Sequence, residues 1–249
     1  MNTEILRHLA PHGAIRAAIN YGNPVLAHAN PVTGQPEGIS VDLAHELARR
    51  LDASLTLIPF DAAGKVFSTL EQNAWDIAFL AIDPVRAKQI SFTAPYLVIE
   101  GSYIVRNHST LKTMDDFDRP GVRIAVGKGT AYDLFLSRTL KHAELVRTET
   151  SGGAIDLFSQ SDLDAAAGIR QPLLSYAATH PGYRVIGGRF TAIEQAMGTP
   201  KGRNHGLSQY LDAFVEEMKV SGFVAEAMQR HAQPDATVAP LRSSSSQAV

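Results

Sequence analysis

The feature that most constrains this chain is an alternation, along nearly its whole length, of short apolar runs with segments of helical periodicity. Residues 14–20 read as a strand. Residues 41–51 read as a helix, because Val41, Ala44, Leu47, Ala48 and Leu51 fall on one stripe. A strand over 54–58, a short helix over 66–72 and an apolar strand over 77–82 follow. Strands this uniformly apolar belong to sheets covered on both faces, so the pattern is βαβαβ.

The texture then breaks into an extended stretch over residues 92–106, and a second alternating set follows. Strands are expected at 122–126, 163–167 and 183–186, with helices at 130–140, 154–160 and 170–178. Residues 193–198 are extended again, and helices over 207–220 and 223–231 close the pattern. The simplest architecture is two α/β lobes joined by two crossing segments, with the last helices packed back on the first lobe. The expected division is 1–99 with 197–240 against 100–196. The alternative is a single doubly wound sheet with a helical tail. The polar stretch 241–249, with Ser243 to Ser246, is expected to be a disordered tail.

Composition narrows the function. The chain has 249 residues and a net charge of -2, with no basic stripe that would suit a nucleic acid. It has no cysteine, which removes disulfides and thiolate chemistry. No apolar run approaches the roughly 20 residues of a membrane span. Residues 1–13 lack the apolar core of a secretory leader, so no signal peptide is expected in this chain and a cytoplasmic location stays open. No G-x-S-x-G or H-E-x-x-H occurs, the nine histidines are scattered, and no cofactor or metal is expected.

The candidate site residues cluster at ends of expected strands, where open α/β folds collect ligands. Leu80 and Ala81 end the apolar strand, and Arg86 follows the turn Asp83-Pro84-Val85. A guanidinium there matches a carboxylate through two parallel hydrogen bonds; the plainer reading is a surface ion pair. Gly127-Lys128-Gly129-Thr130 lies between a strand and a helix. Gly129 would allow close backbone approach and Thr130 would cap the helix, leaving N–H groups free for an anion. Here the alternative is a capped loop. Tyr21 and Asn23 lie in the first strand-to-helix turn, where they would orient a ligand or simply form a turn. Glu194 sits in an apolar crossing segment and either faces the cleft or pairs with a nearby cation.

In order along the chain, these segments resemble one family. Glu37-Gly38-Ile39-Ser40-Val41-Asp42-Leu43, the run from Pro84 to Tyr96, Val126-Gly127-Lys128-Gly129-Thr130 and Asp164-Ala165 are similar to segments of family 3 extracellular solute-binding proteins, which serve ABC transporters for amino acids and related compounds. The resemblance covers about residues 14–232. It implies a type II periplasmic-binding-protein fold with two lobes, a two-strand hinge and closure over a ligand in the cleft. It also implies a periplasmic location, a permease partner and a monomer. Arg86 matches the clamp for the ligand carboxylate, and Thr130 the second-lobe residue that assists it.

Two departures stand out. The first-lobe hydroxyl position falls on Ala81. Where the family places an acid for the ligand ammonium, this chain reads Gly168-Ile169-Arg170-Gln171. Arg170 would then favour a second anionic group, unless Glu194 or Asp61 supplies the missing charge. The expected function is therefore binding of a small carboxylate-bearing solute. The alternatives are a cyclohexadienyl or arogenate dehydratase-like enzyme, with Glu194 as its acid, and a cytoplasmic ligand sensor.

Overall fold

The computed structural model describes residues 2–203 and 205–242. The chain opens with α1 (Asn2–Leu9), β1 (Ala14–Asn20), the two-residue strands β2 (His28–Ala29) and β3 (Pro36–Glu37), α2 (Ile39–Leu51), β4 (Ser54–Phe60), α3 (Ala63–Ser68) and β5 (Ile77–Ala81). The long strand β6 (Ile90–Arg106) leads into β7 (Arg123–Gly127), α4 (Ala131–Thr139), β8 (Glu144–Thr148), α5 (Ser151–Gln160), β9 (Ala165–Ile169), α6 (Arg170–Thr179) and β10 (Tyr183–Val185). The return strand β11 (Thr191–Pro200) is followed by α7 (His205–Val220), α8 (Phe223–Arg230) and β12 (Thr237–Val238).

Strand order is β4-β1-β5-β11-β6-β9-β7-β8. β1 pairs in parallel with β4 and β5, and β7 pairs in parallel with β8 and β9. Between these two parallel sets lie β11 and β6, paired antiparallel to each other and to their outer neighbours. The hydrogen-bond path is continuous only because both crossing strands belong to both halves. β6 changes partners between Val98, which faces β12, and Gly101, which faces β9. β11 pairs Thr191 with Gly101 at one end and Gln195 with Ala81 further on. Its register against β6 shifts between Gln195 and Ala196 and again between Ala196 and Gly198. We propose that the lobes divide here, 1–99 with 197–240 against 100–196.

Both faces of the inner parallel strands β1, β5, β7 and β9 are covered, which is why their sequences are mostly apolar. On β1, Ala17 and Ile19 join a cluster with Leu43 and Leu47 of α2, while Ala18 turns to the opposite face with Val66 and Trp75. The second lobe repeats the arrangement: Ile124 and Val126 of β7 face one side, and Ala125 joins Phe158 and Leu173 on the other. α2 begins at Gly38 because that position has φ 132° and a Cβ there would lie 2.3 Å from the Leu26 carbonyl oxygen. It ends where Asp52 turns left-handed and donates its N–H to Ala48 and Arg49.

Some elements escape the periodicity. α1 stops at Leu9, before Pro11, and is too short to show a full stripe. β8 has only partly buried and exposed residues, as an edge strand should. The tail expected from 241 onward differs at its start, since Arg242 pairs with Asp212 and its N–H donates to Glu216. Residues 243–249 lie outside the described residues.

Candidate solute-binding site

Arg86 is 1% exposed, although its guanidinium sits at the junction of the two lobes. A 3-10 turn, residues Arg86–Lys88, carries it just beyond β5. One Nη donates to the Ala81 carbonyl of the first lobe at 3.0 Å, and the other to the Gly129 carbonyl of the second at 2.8 Å. Nε is buried with no partner. Burial pulls the guanidinium down to about 10, opposed by the nearby Asp83 carboxylate, so it stays charged at neutral pH.

Across the cleft, α4, α5 and α6 begin at the carboxyl ends of β7, β8 and β9. Their positive dipole ends therefore point toward the gap. Thr130 caps α4: its hydroxyl accepts from the Asp133 N–H at 3.1 Å and donates to the Gly127 carbonyl at 2.8 Å. Gly129 has φ +67°, and its N–H donates to the Asp133 carboxylate at 2.8 Å. Asp133 in turn receives Arg147 at 2.9 Å. Tyr132 donates to Ser151 at 2.8 Å, and burial raises its phenol above the ordinary tyrosine value.

Two neighbouring spaces result. A small cavity of about 30 Å³ is bounded by Arg86, Ala81, Asn20, Asn23, Thr130 and Gln195. A larger one of about 260 Å³ extends past Tyr21, Asp61 and Pro24 to Thr150, Gly168 and Leu173. Gly22, Tyr132, Ser151 and Ile169 wall both. The lobes touch: Arg138 of α4 pairs with Asp83 at 2.8 Å, and a Cβ added at Gly129 would lie 3.0 Å from the Gly64 Cα.

Of the expected residues, Arg86, Thr130, Ala81 and Asn23 gather around the small cavity, and Tyr21 and Asp61 border the larger one. Gly129 reaches Arg86 through its carbonyl. Four depart from expectation. Leu80 points into the apolar cluster of Trp75 and Val66, because neighbouring strand residues face opposite ways. Glu194 is exposed for the same reason, while Ile193 and Gln195 face the cavity. Arg170 turns away and donates to the carbonyls of Ile186 and Gly188 at 3.0 and 2.7 Å. Gln171 is partly buried, with its side-chain oxygen unpartnered, and borders neither space.

Several residues were missed. Gln195 follows from Glu194 by strand parity. Tyr132 follows from placing Thr130 at the helix cap. Ser151 gives no signal once β8 goes unread.

A model of the bacterial extracellular solute-binding proteins, family 3, matches residues 15–234, and the chain belongs to that family. The ABC transporter glutamine-binding protein GlnH of Bacillus subtilis is 22% identical over 211 residues, covering 83% of this chain and 76% of that protein. The cyclohexadienyl dehydratase of Pseudomonas aeruginosa is 25% identical over 205 residues, covering 77% and 73%. The cysteine-binding protein of Campylobacter jejuni superposes with a TM-score of 0.80 at 17% identity, over 94% of this chain and 99% of that one. The fold is thus the two-lobed type II periplasmic-binding-protein fold. Among the described residues no helix is long and apolar enough to cross a membrane.

Proposed function

We propose that this protein binds a small carboxylate-bearing solute, an amino acid or a related organic acid, between its lobes and presents it to the permease of an ABC transporter outside the cytoplasmic membrane. The observation that carries this is Arg86, a fully buried guanidinium held by one carbonyl from each lobe and bordering a cavity. A carboxylate entering that cavity meets the unpartnered Nε–H and the N-terminus of α4. A solute touching both lobes binds the closed form better and shifts the population toward it, which the membrane partner reads as shape. The protein is expected to act as a monomer. A thermal-shift panel of amino acids, hydroxy acids and dicarboxylates tests the reading, because a bound solute raises the melting point by mass action. Arg86→Met should abolish every carboxylate response, and a retained response would end the clamp assignment.

The second reading, a dehydratase, is motivated by the Pseudomonas relative. Such chemistry needs an acid against the substrate. Glu194 is exposed, and Asp61, the one carboxylate bordering these two cavities among the described residues, is held by Lys65 at 2.7 Å. Incubation with prephenate or arogenate and assay for the aromatic product separates the two readings.

A further inference from the structure

We infer that the preferred solute is a monoanionic hydroxy acid: a carboxylate with a neutral hydroxyl beside it and no ammonium group, on a largely apolar body. This rests on the carboxylate-binding reading above and names the class of solute within it.

The charge balance of the two adjoining spaces is the first ground. Among the described residues Arg86 and Asp61 are the charged side chains on their walls, and Asp61 already pairs with Lys65 at 2.7 Å. One carboxylate completes the balance. An adjacent ammonium would meet neutral side chains there, among them Asn20, Asn23, Thr130, Ser151 and Gln195, with no carboxylate except the Lys65-paired Asp61 to balance its charge. Burying a cation without a partner is strongly unfavourable. The three helix N-termini opposite add positive potential, which opposes a cation further.

The second ground is an unanswered hydrogen bond. The Asn23 side-chain oxygen is buried with no partner, and Asn23 borders the small cavity together with Arg86, whose Nε is likewise unpartnered. A neutral hydroxyl next to the carboxylate serves an amide whichever way the amide is turned, because it both donates and accepts. A space of about 30 Å³ admits a head group of that size and little more. The larger space then takes the body, against Tyr21, Pro24 and Leu173.

Ile169 offers the decisive substitution. It walls both spaces and is the N-cap residue of α6, where it makes no capping hydrogen bond. Aspartate and asparagine are both good N-caps, so neither Ile169→Asp nor Ile169→Asn should undo the helix. Only the aspartate brings a charge that can receive an ammonium.

The test is calorimetry with matched pairs: L-lactate and L-alanine, 2-hydroxy-4-methylpentanoate and L-leucine, 3-phenyllactate and L-phenylalanine. In the wild type the hydroxy acid of the binding pair should be tighter than its amino partner by about tenfold or more. Ile169→Asp should reverse the order, and Ile169→Asn should keep it. Arg86→Met should remove both members. An amino acid that binds as tightly as its hydroxy partner overturns this inference and leaves the carboxylate clamp standing. Failure of every carboxylate to show Arg86-dependent binding overturns the clamp and this inference together.

Discussion

Replacing Gly64 by alanine should push the lobes apart while making the chain more heat-stable. Gly64 lies in the first turn of α3, on the first lobe. A Cβ built there would sit 2.9 Å from the Lys128 carbonyl oxygen and 3.4 Å from the Gly129 Cα, both on the second lobe. Both obstacles are backbone, so no side chain can swing aside. Overpacking of this kind costs about 1–3 kcal/mol, equivalent to roughly a fivefold to hundredfold loss of the closed arrangement. Within its own lobe the methyl group meets nothing so close, and α3 gains up to about 1 kcal/mol from losing a glycine. The melting temperature should therefore rise by about 1–4 °C. The native chain has no cysteine, so Gln72→Cys and Lys141→Cys, both at exposed positions, give two unique spin-label sites. Pulsed dipolar spectroscopy on solute-free protein should show a longer distance in the alanine variant. An unchanged distance would mean that the lobes do not meet through Gly64. A lowered melting temperature would mean that the clash lies within one lobe.

Arg138→Ala removes the interlobe ion pair with Asp83; with Arg138 41% exposed and Asp83 3%, about 1 kcal/mol of closure should go, seen as roughly fivefold faster solute release in stopped flow. Asp76→Asn should destabilise the first lobe by about 3 kcal/mol, because the carboxylate is fully buried between Arg16 at 2.9 Å and Arg203 at 2.8 Å. In calorimetry that is a fall of roughly 6–12 °C. The same carboxylate fixes the sign of an acid effect. Burial alone would raise its pKa, but the hydrogen bonds from Arg16 and Arg203 outweigh that and hold it below the usual value. Glu46 is held at about 2, chiefly by Arg49 and against the pull of burial, with Arg50 adding to the effect. Groups depressed in the folded state stabilise above about pH 5 and lose that contribution as pH falls through their folded values. Urea midpoints should thus decline from pH 5 toward pH 2, and less steeply in Asp76→Asn.

Much of this was legible in the sequence because both periodicities are strong where burial is two-sided. β1 and β5 show as apolar runs, α2 shows as a stripe ending in Leu51, and Thr130 announces the start of α4. Legibility failed where one residue decides a facing. The run from Ile193 to Gln195 names three neighbours but not which of them look inward, and only the pairing of β11 with β5 and β6 settles that Glu194 looks out. Arg170 failed differently. Its long side chain reaches back to the carbonyls of Ile186 and Gly188, a contact that depends on where the chain returns some sixteen residues later. β8 stayed hidden because its five residues, Glu144–Thr148, carry neither alternation nor continuous apolarity.

The paired register shifts in β11 lie beside the point where both crossing strands leave one lobe for the other. A ladder with an extra residue has slack: it tolerates added twist without breaking its remaining hydrogen bonds. Swinging of the lobes would then be spread over several peptide units as torsion instead of being focused at a single pivot. Substitutions at Ala196 or Met197 would alter how fast the jaws part while leaving every solute-facing atom in place. Dwell time and selectivity would thus be separable traits, tunable at different addresses in the same chain.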